Sequence, residues 1–166
     1  MTNEGASKPT GSLMDDLYRE IILDHYRAPR NRGDIESPTC SADGSNPLCG
    51  DQVHVAVDLT DDRIESIRFS GEGCSISQAS TSMMTEHVLG LDGLSTRMAI
   101  KQFQSLMLNG EPPENSKLGD SEALAGVAKF PARVKCALLG WKTLEQALDR
   151  EHNAPVTTDE RERQDG

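Results

Sequence analysis

The sequence predicts an α+β fold, a small antiparallel sheet of about three strands with helices packed on one face. Two observations carry that expectation. From Asp51 to Ser70, apolar and polar side chains alternate around a central Thr60-Asp61-Asp62 turn, the pattern of a hairpin with one buried face. Beyond Gly73 the apolar residues recur at helical spacing instead, so strands and helices are segregated along the chain. At 166 residues there is enough chain to bury one core without disulfide staples.

Taken in order, Met1 to Ser12 is polar and reads as a disordered lead. Leu13 to Arg27 predicts a helix with Leu13, Leu17, Ile21 and Ile22 towards the core, stopped by Pro29 and Gly33. Ile35 to Asp43 reads as a short edge strand, weakened by Pro38. In the hairpin, Asp51, Val53, Val55, Val57 and Leu59 point one way, while Gln52, His54, Ala56 and Asp58 point the other. Gly71 and Gly73 break the returning strand. Ser75 to Leu89 follows as a helix with Ile76, Ala79, Met83 and Val88 inward, and Ser95 to Leu108 as another. A loop containing Pro and Gly (Asn109 to Gly119) leads to a short helical piece, Ser121 to Ala128. The last helix starts near Pro131 and carries Val134, Ala137, Leu138, Trp141, Leu144 and Leu148 at helical spacing. The domain therefore spans 13–151, and 152–166 reads as a charged disordered tail.

Composition narrows the function. A net charge of −10 argues against nucleic acid, whose phosphates require clustered Lys and Arg. No stretch approaches the roughly 20 apolar residues of a membrane helix, and the polar N-terminus lacks the apolar core of a secretory signal. A cytoplasmic protein is expected, in which cysteines serve as metal ligands or reactive thiols rather than disulfides.

Cys49 and Asp51 lie two apart in a segment leading into a strand, so their side chains can share a side. Cys74 falls at a strand-to-helix junction, where N–H groups and a helix dipole lower a thiol's pKa. Cys136 sits in the first turns of the last helix, with Arg133 three residues back beside it. Three thiolates and a carboxylate complete a tetrahedral zinc shell that is formally −2 with Zn²⁺ bound, so a nearby cation makes electrostatic sense. Buried structural thiols are the competing reading. Cys40 has no polarising neighbours and reads as a plain small side chain, although the spacing leaves a Cys40–Cys49 pair open. His25, His54 and His87 carry no motif and read as surface or satisfied core residues; Lys135 reads as solvent-facing and Met83-Met84 as core.

Several runs together carry a family resemblance: Leu17-Tyr18-Arg19-Glu20-Ile21-Ile22-Leu23-Asp24-His25-Tyr26, Pro29-Arg30-Asn31-Arg32-Gly33, Asn46-Pro47-Leu48-Cys49-Gly50-Asp51 and Gly71-Glu72-Gly73-Cys74. They resemble the IscU/NifU N-terminal family of iron–sulfur cluster assembly scaffolds, and within it the SufU-type branch. Lys135 stands where the housekeeping form has histidine, and an extra segment, 110–130, precedes Pro131. The resemblance covers roughly Leu13 to Leu148 and implies a SufE/NifU-like fold.

It also implies that Cys49, Asp51, Cys74 and Cys136 are metal ligands with Arg133 close by, and that the metal is zinc or, alternatively, iron or an iron–sulfur cluster. The implied partner is a SufS-type cysteine desulfurase, which carries sulfur as a persulfide; Cys49 accepts it once a desulfurase side chain takes its place on the zinc. Downstream partners would be the iron–sulfur assembly machinery. A scaffold that builds a cluster on the same ligands is the alternative, and Lys135 favours sulfur transfer by removing a histidine that could serve the cluster. A closed structural zinc site would use thiolates or histidine rather than Asp51. A stand-alone zinc hydrolase would keep only three protein ligands and an open water position.

Overall fold

The computed structural model describes residues 10–149 and 156–157. Strands β1 (Cys40–Asn46), β2 (Asp51–Thr60) and β3 (Arg63–Glu72) form the expected antiparallel meander. The β2–β3 turn places Asp61 and Asp62 both at positive φ, 53° and 65°, which matches the twist of a two-residue hairpin. Helix α1 (Thr10–Arg27) precedes the sheet. After it come α2 (Ser75–Val88), α3 (Gly93–Asn109), a 3₁₀ segment (Gly119–Lys129) and α4 (Pro131–Asp149).

The register aligns the inward side chains in rows. Cys40, Val57 and Ile67 form one row, Ala42, Val55 and Phe69 the next, and Gly44, Val53 and Gly71 a third. β1 contributes the small member of each row because α4 packs over it. The last inward rung is Asn46 opposite Asp51, buried but polar. Apolar rows thus end in a polar rung at one end of the sheet.

Helix α2 lies in the middle of the helical layer, and its buried face is unusually polar: Ser77, Ser80, Thr81, Ser82 and Thr85 are all 0% exposed. Most of their hydroxyls are used. Ser80 donates to the Ala137 carbonyl (2.6 Å) and accepts from the Trp141 indole N–H (3.1 Å), tying α2 to α4. Trp141 also stacks on Phe103 of α3 with ring centroids 4.4 Å apart. At Gly140, an added Cβ would lie 2.3 Å from Thr81 Oγ1, so the α2–α4 crossing needs a residue without a side chain there.

Several boundaries differ from expectation. α1 starts at Thr10, inside the expected disordered lead; residues 1–9 lie outside the described ones. Leu13 and Leu17 do not face the core, being 66% and 53% exposed; Ile21 and Ile22 pack there as expected, joined by Tyr18, with His25 fully buried. The first strand begins at Cys40 rather than Ile35, so Pro38 precedes it and breaks no ladder. Strand β3 continues through Gly71 to Glu72. Within the expected C-terminal tail, Val156–Thr157 forms a short strand, β4, parallel to β1 at Gly44 and Ser45; 150–155 and 158–166 lie outside the described residues. No helix among the described residues is long and apolar enough to cross a membrane.

Gly140→Ala is expected to destabilise the fold by about 1–3 kcal/mol, because Thr81 cannot retreat from a packed interface. A lowered urea midpoint at unchanged slope would show it; an unchanged midpoint would show that the crossing has slack.

Candidate metal centre

The β1–β2 hairpin turns through Pro47-Leu48-Cys49-Gly50 just beyond the polar rung. The Cys49 N–H closes the turn on the Asn46 carbonyl at 3.1 Å, and Gly50 takes the left-handed conformation (φ 72°) that a side chain would resist. Cys49 therefore occupies a hairpin turn, not a strand, and is partly exposed. Asp51, the first residue of β2, is 1% exposed.

Cys74 is the N-cap of α2, its Sγ accepting from the Ser77 N–H at 3.4 Å. Its own N–H donates to Asp51 Oδ1 at 2.8 Å, and its Sγ lies 3.9 Å from Asp51 Oδ2. Gly73 lets these groups approach: an added Cβ would stand 2.5 Å from Asp51 Oδ1. Arg32 steadies this junction from outside, donating to the Gly71 carbonyl (2.6 Å) and the Gln78 side chain (2.7 Å).

Cys136 enters from α4 and is buried. Its Sγ is 3.3 Å from Cys49 Sγ, and Asn46 Nδ2 approaches it at 3.6 Å. Single ligand atoms of Cys49, Asp51 and Cys136 all lie within 4.8 Å of one another. Ligands at the roughly 2.3 Å Zn–S distance of a tetrahedral site sit about 3.8 Å apart. The three are close to that separation, and Cys74 borders them through Asp51. In donor chemistry and spacing the four residues suit a borderline-soft cation such as Zn²⁺.

The electrostatics split two of the thiols in opposite directions. The Cys74 thiol is held down at about 6, first by its hydrogen bond with Cys136 and also by the Ser77 N–H, against the opposing pull of burial. The same Cys74 bond, with burial and the bonds to Cys49 and Asp51, pushes Cys136 well above the usual thiol range. Arg133, exposed at the start of α4, has its guanidinium pKa raised first by a hydrogen bond to Cys136 and then by the charges of the three thiols. It is the cation that an overall negative ligand set calls for.

Residues outside this cluster fall where the chemistry has other uses for them. Cys40 opens β1, six residues from Asn46, and at about 3.3 Å per residue lies about 20 Å from the cluster, within the core. A Cys40–Cys49 pair is thereby ruled out. His25 Nδ1 bonds Ser82 Oγ (2.8 Å) and Nε2 bonds Asp120 Oδ2 (2.9 Å), with Glu86 3.7 Å away. These carboxylates satisfy a buried histidine that fastens the 3₁₀ segment to α1 and α2. His54 pairs with Asp43 on the outer sheet face at 2.8 Å, and burial lowers the pKa of His87. Lys135 is half-buried rather than solvent-facing.

Sequence reasoning left Asn46 and Arg32 without roles. Asn46 opens the hairpin motif, but its contact with Cys136 spans 90 residues and has no local signature. Its Oδ1 is buried without a hydrogen-bond partner, so the amide is held there by its contact with sulfur and not by a satisfied network.

The family model "NifU-like N terminal domain" matches residues 17–149. The zinc-dependent sulfurtransferase SufU of Bacillus subtilis (strain 168) is 46% identical over 139 residues, covering 83% of this chain and 93% of that protein. The iron–sulfur cluster assembly scaffold protein IscU of Streptococcus pyogenes serotype M1 is 38% identical over 149 residues, covering 90% and 93%. A crystal structure from Fervidobacterium islandicum AW-1, described as a candidate SUF-system assembly scaffold, superposes with a TM-score of 0.73 at 38% identity, covering 78% of this chain and 94% of that one.

Outer-sphere donors commonly set metal affinity by about 10–100-fold. Asn46→Ala is expected to weaken zinc binding within that range in competition with a chromophoric chelator; unchanged affinity would remove Asn46 from the site. In the metal-free chain, alkylation of Cys74 by iodoacetamide should rise as pH climbs through about 6, where its proton is lost, and fade below it. Cys136, pushed in the opposite direction, should stay slow near neutrality. Equal rates for the two thiols would contradict this split.

Proposed function

The chain belongs to the NifU-like N-terminal domain family, and we propose that it is an iron–sulfur cluster assembly protein that binds zinc and accepts persulfide sulfur on Cys49. In this reading Cys49, Asp51, Cys74 and Cys136 hold the metal and Arg133 offsets their charge. The sulfur donor is a SufS-type cysteine desulfurase, and the setting is the cytoplasm, where all four cysteines persist as free thiols. The observation that carries the proposal is the position of Cys49. It shares a metal-sized cluster with buried Asp51 and Cys136, yet stands on a partly exposed hairpin turn.

Zinc, when bound, keeps cysteine ligands deprotonated at neutral pH. As a thiolate, the Cys49 sulfur attacks the outer sulfur of the desulfurase persulfide; that S–S bond breaks, and the desulfurase cysteine leaves as a thiolate. Cys49 then carries the outer sulfur. Asp51 is a harder ligand than sulfur, which suits a site where one ligand must let go. Leu48 (70% exposed) and Phe130 (60% exposed) sit in the hairpin turn and just before α4, and offer apolar contact for the incoming partner.

The sulfurtransferase name of the Bacillus relative supports this reading. Assembly of a cluster on the same ligands is the second reading, supported by the scaffold name of the Streptococcus relative.

Elemental analysis combined with a desulfurase assay separates the two. The purified protein is expected to hold about one zinc per chain and to raise desulfurase turnover, and Cys49→Ala to abolish that rise. Undiminished stimulation by Cys49→Ala would remove Cys49 as acceptor. A stable cluster after iron and sulfide addition to zinc-free protein would favour the scaffold reading. Cys40→Ala should change neither zinc content nor stimulation.

A further inference from the structure

Within the site the sulfurs of Cys49 and Cys136 are in contact, 3.3 Å apart across 87 residues of sequence. Cys136 is buried and fixed on α4, and it approaches from the interior side of Cys49. Cys74 borders this pair, its sulfur accepting from the Ser77 N–H and lying 3.9 Å from Asp51 Oδ2. A persulfide on Cys49 would therefore carry its outer sulfur on an atom already in contact with a second thiol.

We propose that Cys136 is a resolving thiol: in the metal-free chain it discharges a Cys49 persulfide as hydrosulfide, leaving a Cys49–Cys136 disulfide. The inference rests on the reading of Cys49 as a persulfide carrier. Cys136 sulfur forms a bond to the inner sulfur, Cys49 Sγ, and the bond from Cys49 Sγ to the outer sulfur breaks. The Cys136 proton passes to the outer sulfur, which leaves as HS⁻. The Cys136 sulfur is oxidised to the disulfide level and the outer sulfur is reduced to sulfide, while the Cys49 sulfur keeps the oxidation level it had in the persulfide, so no external oxidant or reductant is consumed.

Cys136 held on a metal would have neither a free lone pair nor a proton to give, so this route would be closed to it. In that state the carried sulfur would leave only to an outside acceptor.

The test loads zinc-bound chain with sulfur from a SufS-type cysteine desulfurase supplied with cysteine, removes the desulfurase, confirms the adduct on Cys49 by peptide mass, and then adds EDTA. Wild type is expected to lose the adduct, release one sulfide per adduct, and show a disulfide mapping to Cys49 and Cys136. Cys136→Ala should keep its adduct after chelation, and Cys40→Ala, which lies outside the cluster, should behave as wild type. Retention of the Cys49 adduct by metal-free wild type, or its loss at the wild-type rate from Cys136→Ala, would overturn the proposal while leaving Cys49 as the carrier. A mixture of disulfides involving Cys40 or Cys74, as an unfolded chain would give, would also overturn it. Failure of Cys49 to take up sulfur at all would instead overturn the carrier reading.

Discussion

The hydrogen bond from the Cys74 N–H to the Asp51 carboxylate is the contact on which the site turns. Asp51 is almost wholly buried at the end of β2, and a buried carboxylate is tolerable only when donors or cations face it. Here the donor is the first turn of α2, whose N–H groups and dipole favour negative charge. One bond thus joins the end of the sheet to the start of the central helix. It also sets Cys74 beside Asp51, leaving Cys49 and Cys136 to close the cluster from the hairpin turn and from α4. Gly73 is what makes the approach sterically possible.

The surrounding packing keeps that contact in place. The three inward rows of the sheet are apolar until the Asn46–Asp51 rung, so polarity is concentrated where ligands are needed and nowhere else along those rows. α2 is anchored on both flanks by hydroxyls: Ser80 reaches α4, while Ser82 and Thr85 take up the chain between Arg30 and Asn31. Such satisfied buried bonds fix helix position more narrowly than apolar contact alone, because a small slide leaves donors without partners. Arg32 adds a brace on the outer side of β3, lying over the Phe69 ring.

Much of this was legible in the chain. The β2–β3 hairpin and the three helices after it follow from periodicities of 2 and 3.6, and the thiols and carboxylate announce themselves by ligand chemistry. β1 was misplaced because its residues, Cys40 to Asn46, are small and polar; they are small to admit α4, a reason that exists only in three dimensions. Leu13 and Leu17 have core-like spacing, but α1 extends past the body it packs on, so its first turns stay exposed. Asn46 and Arg32 escaped because their partners are set by tertiary register, 90 and 46 residues away.

The clustered thiols come from a hairpin turn, a helix N-terminus and the final helix, and the contacting Cys49 and Cys136 lie 87 residues apart. Non-local closure of this kind is slow relative to hairpin and helix formation. During synthesis Cys49 and Cys74 emerge well before Cys136, so the full ligand set cannot exist until α4 has left the ribosome and docked. Any ion bound by the cluster would therefore report a completed fold, and a chain truncated before α4 would keep its early thiols without the geometry to trap one.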